Sequence, residues 1–380
     1  MNPAERFYTA LSGGTPDRVP VLPKIWVDLG AVLTGIELRQ VVEEPATAMG
    51  VIPEAALQVK SDSARLFHLP RKKTKVEKGK LYEIDNKGEF LGPIDIAGGL
   101  ATRIEDRGRI NLENPYTAAM IQFWATREPL IQSLDDIKRM AVPEKSLYEQ
   151  VGYGKIQREV IKEYGDRLAL LGDCGSATLA FHVLLRRIDH ALMDLIEESE
   201  LAHAIMEKGA AHAIEKGKFS IDTGLKMLRL NDSVANMLVI SPEHWREFIF
   251  PHMKTVCDEL HRYCPEVRIY CHICGDVMPI IDELVGTGLD CIGPLDPLGG
   301  FTCRQARQAA GDRIALMGGV NTLSFLNSTP QQLIEEARVC IEGAGKKGYT
   351  LGSGCVIPRS AKRENLLALR EAAERFGKNY

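Results

Sequence analysis

The fold and the candidate site can both be approached from one short stretch, VRIYCHICGD at residues 267–276. Apolar and β-branched residues are followed there by histidine, cysteine and glycine, a pattern typical of a β-strand that ends in a loop. In an extended chain, residues two apart point to the same side. The imidazole of His272 and the thiol of Cys274 are therefore expected to face one side, with Cys271 and Ile273 facing the other.

A second stretch of the same kind, YTLGSGC at residues 349–355, lies near the end of the sequence. It predicts another strand end, which would bring the thiol of Cys355 to His272 and Cys274. Two thiolates and one imidazole suit zinc, and three protein ligands leave a fourth position for a substrate. We therefore predict a metal site of His272, Cys274 and Cys355. The spacing alone leaves open that these cysteines are simply buried apolar side chains.

Residues 271–274 also form a C-x-x-C motif, which raises the alternative of a redox dithiol. A thioredoxin-like site requires the second cysteine to open a helix in a short βαβ unit. Gly275 and Pro279 follow here, and 380 residues are far too many for that unit, so the motif does not favour redox chemistry.

Strand and helix patterns alternate after about residue 134, with short loops between them. Predicted strands lie at 167–173, 226–232, 267–272, 289–293, 313–317 and around Leu351. Such repeated units predict an α/β fold with a parallel sheet, and six or seven of them close most simply into a (β/α)8 TIM barrel. A doubly wound open sheet is the alternative. Thr329-Pro330 with Gln332 predicts a capped helix start.

Polar residues directly after barrel strands would lie together at one mouth, where the chemistry of such barrels takes place. Besides the three metal ligands, the predicted strands place Asp173, Asn231, Asp232, Asp296 and Asn321 there. We predict Asp173, Asn231, Asp296 and Asn321 as catalytic residues that orient the substrate or His272. Each could equally cap a loop or a helix start.

The first part of the chain departs from the strand–helix pattern. A helix at about residues 4–11 and a short strand at 18–23 form an N-terminal extension. Residues 65–130 alternate polar and apolar positions around glycine turns, which predicts hairpins in an insertion or cap. The basic run at 71–75 is either a solvated strand edge or a docking surface for an acidic partner. We interpret residues 1–380 as one barrel domain that contains this insertion.

The composition, with 45% apolar and 26% charged residues, is that of an ordinary globular protein. A formal charge of −4 without a basic stripe argues against a nucleic-acid partner. The sequence contains no apolar run of about 18 residues and no export-signal pattern at its start. Nine cysteines, mostly within apolar runs, favour a reduced, cytoplasmic protein over a disulfide framework.

The chain resembles the uroporphyrinogen decarboxylase superfamily over nearly its whole length. The resemblance is carried by ERF at 5–7, AL at 10–11, DRVPV at 17–21, SPE at 241–243, HICGD at 272–276, GSGCVIP at 352–358 and ENL at 364–366. It implies a (β/α)8 barrel. Decarboxylases of that superfamily carry an arginine-rich loop after the first strand, whereas residues 22–28 here read LPKIWVD, without arginine.

The other branch of the superfamily contains zinc methyltransferases that work with corrinoid proteins, such as methylcobamide:coenzyme M methyltransferases and O-demethylase components. Its thiol-activating members use His-x-Cys…Cys, which corresponds to His272, Cys274 and Cys355. The resemblance implies a methyltransferase that moves a methyl group between a corrinoid (cobalamin) protein and a small substrate. That substrate would be a thiol such as coenzyme M or a methoxylated compound.

The implied cofactors are Zn²⁺ and a corrinoid, methylcobalamin, carried by a separate partner protein; no nucleic acid or membrane partner is expected. Three alternatives stay open: a metal-independent lyase like uroporphyrinogen decarboxylase, a coenzyme M–epoxide transferase, and a non-catalytic barrel with a structural zinc.

Overall fold

The computed structural model describes residues 1–96 and 99–379, which contain two β-sheets. Strands of the larger sheet are almost entirely buried, as expected for parallel strands covered on both faces. The strands are β1 (Val21–Leu22), β2 (Ser63–Arg65), β3 (Lys73–Glu77), β4 (Lys80–Ile84), β5 (Phe90–Asp95), β6 (Ala101–Ile104), β7 (Trp124–Thr126), β8 (Ala169–Ser176), β9 (Met227–Asn231), β10 (Arg268–His272), β11 (Cys291–Leu295), β12 (Ala315–Val320) and β13 (Tyr349–Ser353).

Helices separate the strands of the larger sheet along the described residues, and several begin at recognisable caps. The helices are α1 (Pro3–Leu11), α2 (Val27–Thr34), α3 (Leu38–Glu43), α4 (Pro45–Gln58), α5 (Pro115–Ala119), α6 (Leu134–Arg139), α7 (Lys145–Gln150), α8 (Tyr153–Tyr164), α9 (Leu179–Glu197), α10 (Ser199–Asp222), α11 (Pro242–His244), α12 (Phe250–Tyr263), α13 (Ile281–Gly286), α14 (Cys303–Ala310), α15 (Ser324–Asn327), α16 (Pro330–Ala344) and α17 (Arg363–Phe376). The predicted capping box at Thr329 and Gln332 is present and opens α16.

The larger sheet has eight strands in the order β1-β13-β12-β11-β10-β9-β8-β2, and all neighbours are parallel. Because β1 and β2 meet, the sheet forms a (β/α)8 barrel, which confirms the predicted fold class and rules out the open doubly wound sheet. One glycine motif leads into this sheet. Residues 343–348, GAGKKG, have the G-x-G-x-x-G spacing of dinucleotide-binding loops, but they run from the end of α16 towards β13. A dinucleotide site requires the reverse order, strand then helix.

Side chains that alternate along the barrel strands fill the lower part of the barrel. Helix α1 inserts Phe7 and Leu11 into this interior, where both are fully buried. They pack against strand residues that point inward, including Leu22, Ala169, Leu171, Met227, Tyr270, Cys291, Ala315 and Met317. The N-terminal extension therefore closes the end of the barrel opposite the C-terminal ends of the strands.

A buried carboxylate joins β1 to β2. Asp62 is fully buried and accepts a hydrogen bond from the backbone N–H of Val21 at 2.8 Å. Arg18 donates to both of its oxygens at 2.6 and 2.7 Å, and Arg6 donates at 3.0 Å. The backbone N–H of Asp62 donates in return to the carbonyl of Val21 at 3.0 Å. Arg370 also lies 3.5 Å from this carboxylate, so three cations and the backbone hold the charge where the barrel closes.

The second sheet has the order β3-β4-β5-β6-β7, and its first three strands form the predicted antiparallel hairpins. Lys72 of the basic run is buried, and its ammonium donates to Thr102 and to the carbonyls of Leu100 and Phe123. Arg71, Lys73 and Lys75 are exposed beside or on the edge strand β3.

The assignment of residues 65–130 as an insertion within a single domain stays our proposal, and residues 97, 98 and 380 lie outside the described part. Among residues 1–96 and 99–379, no helix combines the length and apolar character needed to cross a bilayer.

We predict that Asp62→Ala lowers the free energy of unfolding by about 3–5 kcal/mol, because it leaves the Arg6 and Arg18 guanidiniums buried without their shared anion. Urea unfolding followed by circular dichroism measures the change. Asp312→Ala, which removes an exposed ion pair with Lys347, is the matched control and should leave the urea midpoint almost unchanged. Equal midpoints for both variants would contradict the role of Asp62 in closing the barrel.

Candidate metal and substrate site

Three soft donor atoms meet at the C-terminal mouth of the barrel. His272 ends β10, Cys274 follows two residues later, and Cys355 lies two residues after β13. Their ligand atoms all lie within 4.8 Å of one another, and His272 Nε2 is 3.8 Å from Cys355 Sγ. The chain turns after Cys274 at Gly275, whose φ of +88° and whose contact with Asn236 leave no room for a side chain. The structure thus brings the three predicted metal ligands together.

The imidazole of His272 is buried, and burial together with nearby Lys24, Arg229 and Arg65 holds its pKa well below the ordinary value. The ring is therefore neutral near pH 7, as a metal ligand must be. Its Nδ1 lies 2.9 Å from Lys24 Nζ, while Nε2 faces the thiol of Cys355. Burial and the nearby Arg229 lower the pKa of Lys24 to about 7, so its unprotonated amine can accept the Nδ1–H. With the ring proton on Nδ1, the lone pair of Nε2 is directed to the thiols and Lys24 fixes the ring orientation.

The two thiols titrate as a pair. A hydrogen bond from Cys274 lowers the pKa of Cys355 to about 6, although burial opposes the shift. The same hydrogen bond and burial raise the pKa of Cys274. One proton therefore leaves easily and the other is shared between the sulfurs. Cys271 faces the opposite side, where burial raises its pKa strongly, as the alternation of the strand predicts.

Lys24 is a site residue that our sequence reasoning missed. It lies two residues after β1, is buried, and its backbone N–H donates to Ser353 Oγ at 3.1 Å. The N–H of Ile357 donates to the Lys24 carbonyl at 3.0 Å, so the loops after β1 and β13 are joined on both sides of Cys355. Its position directly after the first strand was the available signal, but we considered that loop only for its lack of arginine.

Asp173 lies inside the barrel rather than free at its mouth. Lys216 and Arg229 donate to its two oxygens at 2.7 and 2.9 Å. Although burial opposes ionisation, these two cations lower the pKa of Asp173 to about 2. Asn231, in the next layer, accepts a hydrogen bond from Arg229 at 2.5 Å and donates to Ser176 at 3.2 Å. Both predicted catalytic residues therefore belong to one hydrogen-bonded network, in which Asn231 lies opposite His272 and Asp173 lies one layer below.

The other polar residues after the strands shape loops. Asp296 accepts from the backbone N–H of Gly275 and of Leu298, which ties the loop after β11 to the Cys274 turn. The Asn321 side chain accepts from the N–H of Leu323 at 2.9 Å. Asp232 is fully buried and accepts from the N–H of Ala180, and burial raises its pKa to about 7. Of the predicted catalytic residues, Asp296 is thus the one in direct contact with a metal-ligand loop.

The donor set fits zinc better than a harder metal. Tetrahedral zinc with bonds of about 2.0–2.3 Å places N and S donors about 3.6 Å apart and two sulfurs about 3.8 Å apart. The three atoms here span at most 4.8 Å, so a small contraction would reach that geometry. A donor set of thiolates and an imidazole, without a carboxylate, favours zinc over calcium or magnesium.

A family profile described as Uroporphyrinogen decarboxylase (URO-D) matches residues 125–376. Among curated proteins, the chain is 28% identical to a methylated-thiol–coenzyme M methyltransferase of Methanosarcina mazei, over 47% of this chain and 45% of that protein. It is 28% identical to the uroporphyrinogen decarboxylase of Chlorobium luteolum, over 60% and 64% of the two chains. With a methylcobamide:CoM methyltransferase of Methanosarcina barkeri it shares 25% identity, over 58% and 62%.

The alignments thus span between about half and two thirds of the length of these relatives. A solved structure titled "methyltransferase from Methanosarcina mazei" aligns over 99% of both chains with a TM-score of 0.68 and 18% identity. That likeness shows the fold.

We predict that, in metal-free protein, iodoacetamide modifies Cys355 with a pH midpoint near 6, below the value of about 8.5 for a free thiol. The thiolate forms as pH rises through this lowered pKa, so the rate should increase from pH 5 to 7. Peptide mass spectrometry measures modification at each cysteine. Cys274→Ala removes the hydrogen bond and should move the midpoint upward; an unchanged midpoint in that variant would contradict the paired titration.

Proposed function

We propose that this chain, which belongs to the uroporphyrinogen decarboxylase family, is a zinc-dependent methyltransferase of that family. In this proposal it moves a methyl group between a corrinoid carried by a partner protein and a small thiol or methoxylated compound. The observation that carries the proposal is the meeting of one neutral imidazole and two thiols at the barrel mouth. Chemistry in such barrels takes place at that mouth.

Each protein group has a defined task in this proposal. His272, Cys274 and Cys355 would hold the metal ion, and the two cysteinates would balance its charge. Zinc, when bound, would lower the pKa of a substrate thiol or polarise the oxygen of a methyl ether. Lys24 orients the imidazole through Nδ1, and Asp296 holds the turn that presents Cys274. Three protein ligands would leave the fourth position for the substrate.

Two named relatives support the methyl-transfer chemistry. One carries a methylated thiol and coenzyme M in its name, and the other carries methylcobamide and coenzyme M. For this chain, the thiol substrate and the corrinoid are both proposals, because the two alignments span only 45% and 62% of the length of these relatives. The two cysteines favour a thiol substrate over an ether, since an anionic ligand set keeps a bound thiolate electron-rich and nucleophilic.

A decarboxylase-like lyase is the second candidate, because the Chlorobium luteolum decarboxylase is as similar in identity as the first methyltransferase. Such a lyase has no use for the convergent thiols. It should keep its activity in the presence of a chelator, whereas the proposed methyltransferase should lose it. A coenzyme M–epoxide transferase would share the metal requirement but would not consume methylcobalamin.

We expect about one zinc per chain in the purified protein, and much less in Cys274→Ser and in Cys355→Ser. Loss of a ligand should reduce zinc affinity by more than the roughly 10–100-fold that loss of an outer partner costs. Mass-spectrometric metal analysis measures the content, and absorbance measures demethylation of methylcob(III)alamin with a panel of thiols and methoxylated aromatics.

Cys271→Ser is the matched control for these variants, because it alters the same C-x-x-C motif on the opposite face of the strand. It should retain zinc and demethylation. Unchanged zinc content in Cys355→Ser, together with no corrinoid turnover in the wild type, would refute the proposed function.

We also propose that the exposed part of the basic run at 71–75 contacts the corrinoid protein. Replacing both Lys73 and Lys75 with glutamate leaves the buried Lys72 intact. We expect methyl transfer from a protein-bound corrinoid to weaken by about tenfold or more at low salt. Transfer from free methylcobalamin should stay unchanged. The control Lys155→Glu alters another exposed lysine, on α8. Equal losses with both methyl donors would contradict the docking role.

A further inference from the structure

Two buried thiols outside the candidate metal site lie side by side. Cys303 is the first residue of α14 and Cys340 lies within α16; they are 6% and 7% exposed. Both sulfurs lie over Gly319 of β12. A β-carbon at this position would be 3.0 Å from the sulfur of Cys340 and nearer still to that of Cys303. Because Gly319 has no side chain, the two sulfurs have room to meet there.

The two helices that carry these cysteines are in close contact. A β-carbon at Gly343, one turn after Cys340, would lie 3.0 Å from the backbone nitrogen of Arg304. Arg307 on α14 also donates to the carbonyl of Ala344, at the end of α16, at 2.7 Å. A disulfide requires Cα atoms about 4.4–6.8 Å apart, and helices in such close contact favour that separation.

The surroundings make one of the two thiols the better nucleophile. A hydrogen bond from Cys340 lowers the pKa of Cys303, although burial opposes the shift. The same hydrogen bond and burial raise the pKa of Cys340. Cys303 also lies at the amino end of α14, where the helix dipole favours a thiolate. The pair therefore combines a reactive thiolate with a neighbouring thiol that can react with its oxidised form.

The loop at 296–302 connects this pair to the candidate metal site. Its Gly299 contacts Gly275, the residue after one cysteine ligand: a β-carbon at 299 would lie 2.5 Å from the carbonyl carbon of Gly275. Its Pro297 contacts Gly354, the residue before the other cysteine ligand: a β-carbon at 354 would lie 2.8 Å from Pro297 Cδ. The loop ends where α14 begins, so a displacement of the first turn of α14 would act on both ligand turns.

We propose that Cys303 and Cys340 form a reversible disulfide when the protein meets a small peroxide, and that this bond weakens zinc binding at the candidate metal site. The disulfide stands on the cysteine pair alone, whereas its effect on zinc rests on the proposed function. In a reducing compartment such a bond is transient, as redox-sensing disulfides are.

Peroxide oxidises the pair in two steps. The Cys303 thiolate attacks one oxygen of hydrogen peroxide and the O–O bond breaks, which gives a sulfenic acid and, with the thiol proton, one water. The sulfur of Cys340 then attacks the sulfenic sulfur. The S–S bond forms, the S–O bond breaks, and the departing hydroxide takes the Cys340 proton as a second water. The two thiols lose two electrons, and a small-molecule thiol restores both by exchange.

Mass spectrometry of the peroxide-treated protein tests the disulfide. After treatment, free thiols are blocked with iodoacetamide under denaturing conditions, and the protein is digested without reduction. Proteases that cleave before aspartate and after lysine or arginine leave Cys303 in peptide 296–304 and Cys340 in peptide 339–346, each with one cysteine. We expect these two peptides to be joined, with a mass two hydrogens below their sum, and to separate after dithiothreitol. Oxidation of other cysteines without this joined peptide would overturn the proposal.

Zinc release tests the effect on the metal site. A chromogenic chelator measures the dissociation rate before and after peroxide. We expect oxidised wild type to release zinc about tenfold faster, the scale on which loss of a positioning partner acts. Cys303→Ala and Cys340→Ala should release zinc at the same rate with and without peroxide. The control Cys264→Ala removes a more exposed thiol and should respond as wild type does.

Equal acceleration by peroxide in Cys303→Ala and in wild type would mean that the oxidant acts on the metal ligands directly, which would refute the effect on zinc. The joined peptide is measured in wild type, so that test does not depend on how the alanine variants fold. If the purified protein holds no zinc, the proposed function fails while the joined peptide still decides the disulfide. If zinc is bound and the joined peptide forms without faster release, the effect on zinc is refuted and the proposed function stands.

Discussion

The candidate site depends on parallel strand pairing that continues from β10 through β11, β12 and β13 to β1. Parallel pairing aligns the carboxyl ends of all these strands, so the candidate ligands His272 and Cys355, 83 residues apart in sequence, reach the same mouth. The contact between β1 and β2 then closes the sheet into the barrel. The charges of Arg6 and Arg18 on Asp62 hold β1 against β2, and the loop after β1 then carries Lys24 to the imidazole of His272.

Much of the fold was predictable because its signals are local. Apolar strands followed by capped helices gave the barrel, and alternation within residues 267–276 correctly separated Cys271 from His272 and Cys274. Strand lengths were less predictable: the first strand was expected at 18–23 but spans only Val21–Leu22. Pro20 and Pro23 flank it and cannot donate hydrogen bonds to a neighbouring strand.

The basic side chains near the candidate site could not be predicted from local patterns. Lys24 and Arg65 become buried only when β1 and β2 meet, a contact between distant segments that no local pattern reports. Arg65 also lies in a strand of three residues, too short for a periodicity, at the edge of the range we assigned to an insertion. Asp173 was recognised by its place after a strand, but its two cationic partners come from β9 and α10.

Helix α1, which closes the lower end of the barrel, bears on the order in which substrates would bind and leave in the proposed reaction. Phe7 and Leu11 fill the lower barrel, so whatever reaches the buried cations enters and leaves through the upper opening. A large methyl carrier seated on that opening would cover it. Turnover would then be ordered: the small substrate loads first, the carrier arrives second, and the methylated or demethylated small molecule departs only after the carrier has lifted away.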